Sequence, residues 1–125
     1  MSEQLASLHK KGGGDLKETV LWTNPSPTSS FNAQTITLSD DMNNYQFLKV
    51  VSRISKTDST ERVYEIEPSK FYDMCIRGTI SGVSWIRIIS KQSDTTVSSS
   101  TSYRVNASGT STDNAIPVQI SGLKL

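Results

Sequence analysis

One cysteine and one histidine are all that this 125-residue chain holds of its two most versatile side chains. With Cys75 alone, no intrachain disulfide forms, which excludes a small secreted scaffold stapled by bridges. Zinc sites need clusters of Cys and His, and Cys75 and His9 stand too far apart in sequence to supply one. Nucleophilic catalysis needs a base held rigidly against its nucleophile. His9, beside Lys10 and Lys11 in a polar stretch, is expected to be solvated instead. Charge of one sign is also missing: 13 basic residues face 12 acidic ones. Bulk electrostatics therefore gives no reason to expect a nucleic-acid or membrane-surface partner. No run approaches the ~18 apolar residues of a membrane span. The first residues lack the apolar core of a secretory signal, so synthesis in the cytoplasm is expected.

What the chain has in surplus is Ser and Thr, 34 residues in all. Thr, Val and Ile stiffen the first side-chain torsion and suit pleated surfaces. Ser and Asn suit turns, where their side chains bond local backbone. The composition favours an all-β domain, and the length supports one domain with one core.

Residues 1–18 differ from the rest. They are polar, and Gly12-Gly13-Gly14 carries too much backbone entropy to continue a helical turn around Leu5 and Leu8. This stretch is expected to be an extended attachment segment, with residues 19–125 as the display domain. Lys11-Gly12-Gly13-Gly14 lacks the Lys-Ser/Thr, strand and helix of a phosphate loop, so a hinge is expected.

Short β-type runs follow: 20–22, 35–39, 45–54, 61–67, 72–80, 83–90, 101–107 and 116–120. Asn24-Pro25-Ser26-Pro27 and Pro68-Ser69 break the pattern, because proline removes a ladder donor. In 45–54, Leu48, Val50 and Ile54 share a face opposite Lys49 and Arg53. In 72–80, Tyr72, Met74, Ile76 and Ile80 oppose Asp73, Arg77 and Thr79. Cys75 therefore falls opposite the core set, as an inert thiol. The run 83–90 is apolar on both faces, with Trp85 and Ile89 on one and Ile86 and Ile88 on the other. That predicts a strand covered on two sides, central in a sandwich or against a second subunit. Val83, Trp85, Ile86, Ile88 and Ile89 are the candidate oligomer interface. The Ser/Thr patch 93–102 reads as a hairpin loop entering a polar strand. About eight strands at this spacing predict a single antiparallel β-sandwich, jelly-roll-like, with an extended N-terminal leader.

Chemistry is sparse. Asp40 and Asp41 could join Asp58 or Asp94 around calcium, or pair as glycosidase carboxylates, but adjacent aspartates in a turn more simply bond local backbone. Asn106-Ala107-Ser108 matches a glycosylation acceptor, which without a secretion signal is expected to stay unmodified. No cofactor and no metal are expected. Among the aromatics, Tyr45, following Asn43 and Asn44 at a loop edge, is the one expected to be exposed, and these three residues are the candidate ligand contact.

Two stretches resemble a known family. Leu21-Trp22-Thr23-Asn24-Pro25-Ser26-Pro27-Thr28-Ser29-Ser30-Phe31, running on through Ala33-Gln34-Thr35-Ile36-Thr37-Leu38-Ser39, is similar to the opening of small tail-fibre and virion-surface proteins of bacteriophages and prophages. There a strand containing Tyr-x-Phe/Tyr follows, matched by Tyr45-Gln46-Phe47. The ending Ile116-Pro117-Val118-Gln119-Ile120-Ser121-Gly122-Leu123-Lys124 resembles their terminal strand. Ser121 departs from the pattern, which commonly has an aromatic there, and this puts a surface or subunit contact in doubt. The start, Leu8-His9-Lys10-Lys11-Gly12-Gly13-Gly14, is similar to some members as well.

The resemblance implies a virion protein without enzymatic activity, a homotrimeric fibre, receptor-binding or decoration component. It would assemble with other capsid or tail proteins in the host cytoplasm and leave by lysis. Leu5, Leu8, His9, Lys10, Lys11 and Gly12–Gly14 would then anchor it to the particle. Two rival expectations stand beside it. One is a carbohydrate-binding module for a bacterial surface glycan. The other is a polysaccharide depolymerase using carboxylates among Asp40, Asp41, Glu65, Glu67 and Asp73.

Overall fold

A computed structural model describes residues 16–125. The anchoring residues expected among 1–14 lie outside that range. Nine strands are formed among the described residues: β1 (Lys17–Thr23), β2 (Gln34–Thr37), β3 (Phe47–Ser55), β4 (Glu61–Ile66), β5 (Asp73–Ile80), β6 (Val83–Lys91), β7 (Thr96–Arg104), β8 (Thr110–Ser111) and β9 (Asn114–Lys124). Two single turns of 3-10 helix, Met42–Asn44 and Pro68–Lys70, are the only helical segments there.

All pairings are antiparallel. One sheet runs β1-β9-β3-β4 and the other β2-β7-β6-β5, with β8 added to β7. The β5-β6-β7 meander lies in one layer, while β9 is inserted between β1 and β3 in the other. Such long-range neighbours give the jelly-roll-like character expected of the sandwich.

The alternation read from the sequence sets the layers. Leu48, Val50 and Ile54 of β3, Met74 and Ile76 of β5, and Ile89 of β6 all face inward and are buried. They meet Leu21, Phe31, Ile36, Val97, Ile116 and Ile120 in the core between the sheets. Each such side chain contributes about 1.5–3 kcal/mol when fully removed from water. A smaller cluster of Phe47 and Leu123, with Leu16 packed against it, lies on the outer face of the first sheet.

Three register shifts adjust the layers, one of them between β6 and β7 at Arg87–Ile89 and two in the first sheet. On β1 the register shifts between Val20 and Trp22, so Leu21 is an extra residue. Leu21 is buried and Trp22 also packs on the core, so both turn toward the interior. On β9 the shift falls at Val118, next to Pro117, which has no N–H for the ladder. Val118 is accordingly only half-buried, although the alternation groups it with Ile116 and Ile120.

Four expectations change. β1 begins at Lys17, because Lys17 and Glu18 pair with Lys124 and Leu123 and extend the strand into the presumed leader. The 93–102 patch is a hairpin turn at Gln92–Thr95 entering a polar strand, as read, but that strand, β7, spans Thr96–Arg104 rather than 101–107, held between β2 and β6. Tyr72 does not join the core face. It precedes β5, where the chain has not settled into the pleat, and is 76% exposed. The 83–90 run is central, between β5 and β6's other neighbour β7, but is not fully covered on both faces: Ile86 and Ile88 are half-buried on the outer face.

Candidate functional site

The first and last strands, β1 and β9, form one seam. Trp22 pairs with Ile120 and Thr23 with Gln119. Asn24 is buried just beyond β1, and its side-chain amide donates to the Pro117 carbonyl at 2.8 Å. Its backbone N–H donates to the Val118 carbonyl at 2.8 Å, so the bulge left by Pro117 is satisfied from the opposite strand. The Asn24 side-chain oxygen accepts from the Ser26 N–H at 2.9 Å, an Asx turn that starts the proline-rich loop. Further on, the Phe31 N–H donates to Thr112, and the Ser30 hydroxyl to the Asp113 carboxylate. The Phe31 ring stands edge-on to Trp22 at 5.9 Å.

Arg87 lies at the centre of this assembly, fully buried. It shares the inward face of β6 with the apolar Trp85 and Ile89. The guanidinium reaches four carbonyls: Ala115 at 2.8 Å, Phe31 at 2.9 Å, Ser100 at 2.6 Å and Asn114 at 3.2 Å. It also sits 5.3 Å from the Phe31 ring centroid. Its partners thus come from both sheets and from the loop after β1. Burial pushes its pKa down to about 10, which still leaves it charged at neutral pH. A buried arginine flanked by apolar residues in a central strand is the signal that could have exposed it.

The expected ligand corner, Asn43, Asn44 and Tyr45, is tied by internal hydrogen bonds, with Asn43 and Asn44 exposed. The Asn43 N–H and side-chain amide both donate to Asp41, and the Asn44 amide donates to Asp40. Tyr45 is 8% exposed, not solvated. Its hydroxyl donates to Asp40 at 2.8 Å, and its ring lies against Gly122. The Lys124 ammonium stands 5.6 Å from the ring centroid. The Tyr45 hydroxyl, then the Asp41 N–H and the Asn44 amide, hold the Asp40 carboxyl below its usual range.

The other acidic candidates are dispersed. Asp41 caps the 3-10 turn, Glu67 pairs with Lys70 at 2.8 Å and Asp94 with Lys91 at 3.6 Å. Asp58 accepts from the Thr60 N–H. Glu65 and Asp73 lie on outer faces of different sheets, opposite Lys49 and Ser90. Among the described residues, no three of His, Cys, Asp and Glu come close enough to hold a metal ion. No helix among them is long and apolar enough to cross a membrane.

Ser121, which departs from the sequence resemblance, is fully buried although it points away from the core. Its hydroxyl donates to Glu18, which also pairs with Lys49 at 2.7 Å, so a polar lid covers the place an aromatic would take.

Two surfaces remain open. The outer face of the second sheet carries the row Cys75, Ile88 and the row Arg77, Ile86, Tyr103. Of the proposed interface residues, Ile86 and Ile88 lie on this face, whereas Trp85 and Ile89 point inward with Arg87. At the end of the same sheet, residues 82–84 and 104–107 line a recess of about 240 Å³. Comparison with protein-family models and with curated proteins finds no match. The fold defines the molecule as an antiparallel β-sandwich protein.

Proposed function

We propose that this chain is a non-enzymatic structural component of a bacteriophage particle. Its β-sandwich is displayed at the particle surface as part of a homotrimeric tail fibre, head fibre or decoration protein. Residues 1–15, ahead of β1, form the docking segment toward a capsid or tail partner. The observation that carries the reading is the seam. The opening and closing stretches that resemble phage virion-surface proteins are bonded to each other, through Asn24 and Pro117, Trp22 and Ile120, and Tyr45 and Gly122. The resemblance therefore covers one folded unit with a shared physical basis, rather than two unrelated strings.

The docking role is tested by removing residues 1–14 and supplying the truncated chain during particle assembly. The truncated domain keeps its cooperative unfolding but drops out of purified particles. Full incorporation of the truncated chain contradicts the docking role.

A saccharide-binding module is the second reading, favoured by the exposure of Tyr72 and Tyr103. Both offer ring faces that a sugar can stack on. Weak, saturable binding to host cell-wall polysaccharide, lost on replacing either tyrosine by Ala, distinguishes it.

A further inference from the structure

The recess at the end of the second sheet is built by two turns. Ser81 and Gly82 join β5 to β6 with positive φ at both residues, the type I′ geometry of a tight hairpin. Beyond β7, Asn106 holds a left-handed conformation with φ of 61°. The two turns are tied together, because the Val105 N–H donates to the Ser84 carbonyl at 2.9 Å.

The lining is rich in donors. The Arg104 guanidinium has no side-chain partner among the described residues, nor has the Asn106 amide. The Ser84 hydroxyl is shared only with Thr79, at 3.3 Å. Val83, Val105 and Ala107 add apolar surface, and no carboxylate lines the recess. An unpaired guanidinium is a planar fork that matches the oxygens of a carboxylate or phosphate in bidentate fashion. At about 240 Å³ the recess is smaller than the roughly 300–1,000 Å³ of sites for drug-sized ligands, so it admits one sugar ring rather than a chain. With no aromatic in the lining, stacking on a neutral ring is not what it offers.

We infer that this recess binds the anionic terminal sugar of a surface glycan, with Arg104 on the carboxylate or phosphate and Asn106 and Ser84 on neighbouring hydroxyls. The glycan as its source rests on the reading of the domain as displayed toward a host surface. The recess chemistry does not.

The test is a titration of the full-length ¹⁵N-labelled chain, followed by amide NMR shifts, with three probes: glucuronate, glucose 1-phosphate and glucose. The expected result is saturable shifts confined to residues 82–84 and 104–107 with at least one anion, at a Kd of ~1 mM. Which anion binds tells carboxylate from phosphate. Arg104→Gln weakens binding about tenfold or more, leaving thermal unfolding and particle incorporation unchanged. Asn106→Gly, which keeps the left-handed turn, weakens it several-fold. The proposal is overturned if neither anion saturates these amides, if glucose shifts them equally, or if Arg104→Gln binds as the parent does. Anion binding by a chain that proves absent from particles would uphold the recess and sink the virion reading. Particle incorporation without anion binding would do the reverse.

Discussion

The ring of Tyr45 lies flat against the backbone of Gly122, so closely that a Cβ at position 122 would sit among the ring atoms. The contact joins the loop before β3 to the end of β9. It also accounts for two positions of the family resemblance at once, the tyrosine of the Tyr-Gln-Phe stretch and the glycine of the closing strand.

Gly122→Ala is therefore expected to destabilise the domain by about 2–3 kcal/mol, since overpacking a fixed ring forces backbone to move. Combining it with Tyr45→Ala restores room, so the double variant loses less than the sum of the two single ones. Urea denaturation of the four chains measures this coupling.

Arg87→Met is expected to cost about 3–5 kcal/mol. It takes the guanidinium donors from the carbonyls of Phe31, Ser100, Asn114 and Ala115, of which Ser100 alone keeps a side-chain donor, the Ser99 hydroxyl, and burial without a donor is expensive. Arg87→Lys recovers only part of this, because one ammonium cannot span acceptors arranged around a planar fork. Equal stability of Met variant and parent would show that the guanidinium does not tie the two sheets.

Ser52→Ala points the other way. Ser52 is fully buried, and its hydroxyl has no partner among the described residues. It faces Pro117 at the β9 bulge, where no N–H is on offer. Replacing it with alanine is expected to leave stability unchanged or raise it by up to about 1 kcal/mol, seen as a higher Tm.

Acid is expected to loosen the corner at Asp40 and the seam at Asp113. Asp40 accepts from Tyr45 and Asp113 from Ser30, and both carboxyls are held below their ordinary value of 3.8. Folding thus favours the ionised forms. Their stabilisation is complete above the ordinary value and is lost as the pH falls through the lower folded-state value. Asp40→Asn should be less stable than the parent at pH 7, with the gap closing as the pH falls below 3.8. A gap that stays constant across that range contradicts the assignment.

Much of this architecture was legible in the sequence, and the reasons are local. Period-two alternation put Leu48, Val50, Met74 and Ile76 on the core face and Cys75 outside, because a strand has only two faces. The parts that were not legible depend on the other sheet. Tyr45 read as exposed because its cover, Gly122, is far away in sequence. Arg87 drew no reading at all, because its acceptors come from the β1–β2 loop, β7 and β9. The recess was invisible because it exists only where the turns after β5 and β7 meet. The polar strand after the 93–102 hairpin loop was expected from Thr101 but starts at Thr96, because its serines carry no apolar signal, although Ser99 and Ser102 are buried against the core side.

Self-association through the outer face of the second sheet follows from the homotrimer proposal. Light scattering should give three times the mass of the 13.7 kDa chain, unchanged on dilution. Ile88→Glu, on the half-buried outer face, should shift the mass toward one chain without unfolding it. A monomer at every concentration sets the interface aside for the isolated chain.

The most direct measurement is the protein content of particles produced by the genome that encodes this chain, purified by density gradient and sequenced by mass spectrometry. The virion proposal predicts peptides of this chain in the particle fraction at a fixed stoichiometry to the major capsid or tail protein. Its presence only in the soluble lysate, with none in intact particles, would contradict that proposal.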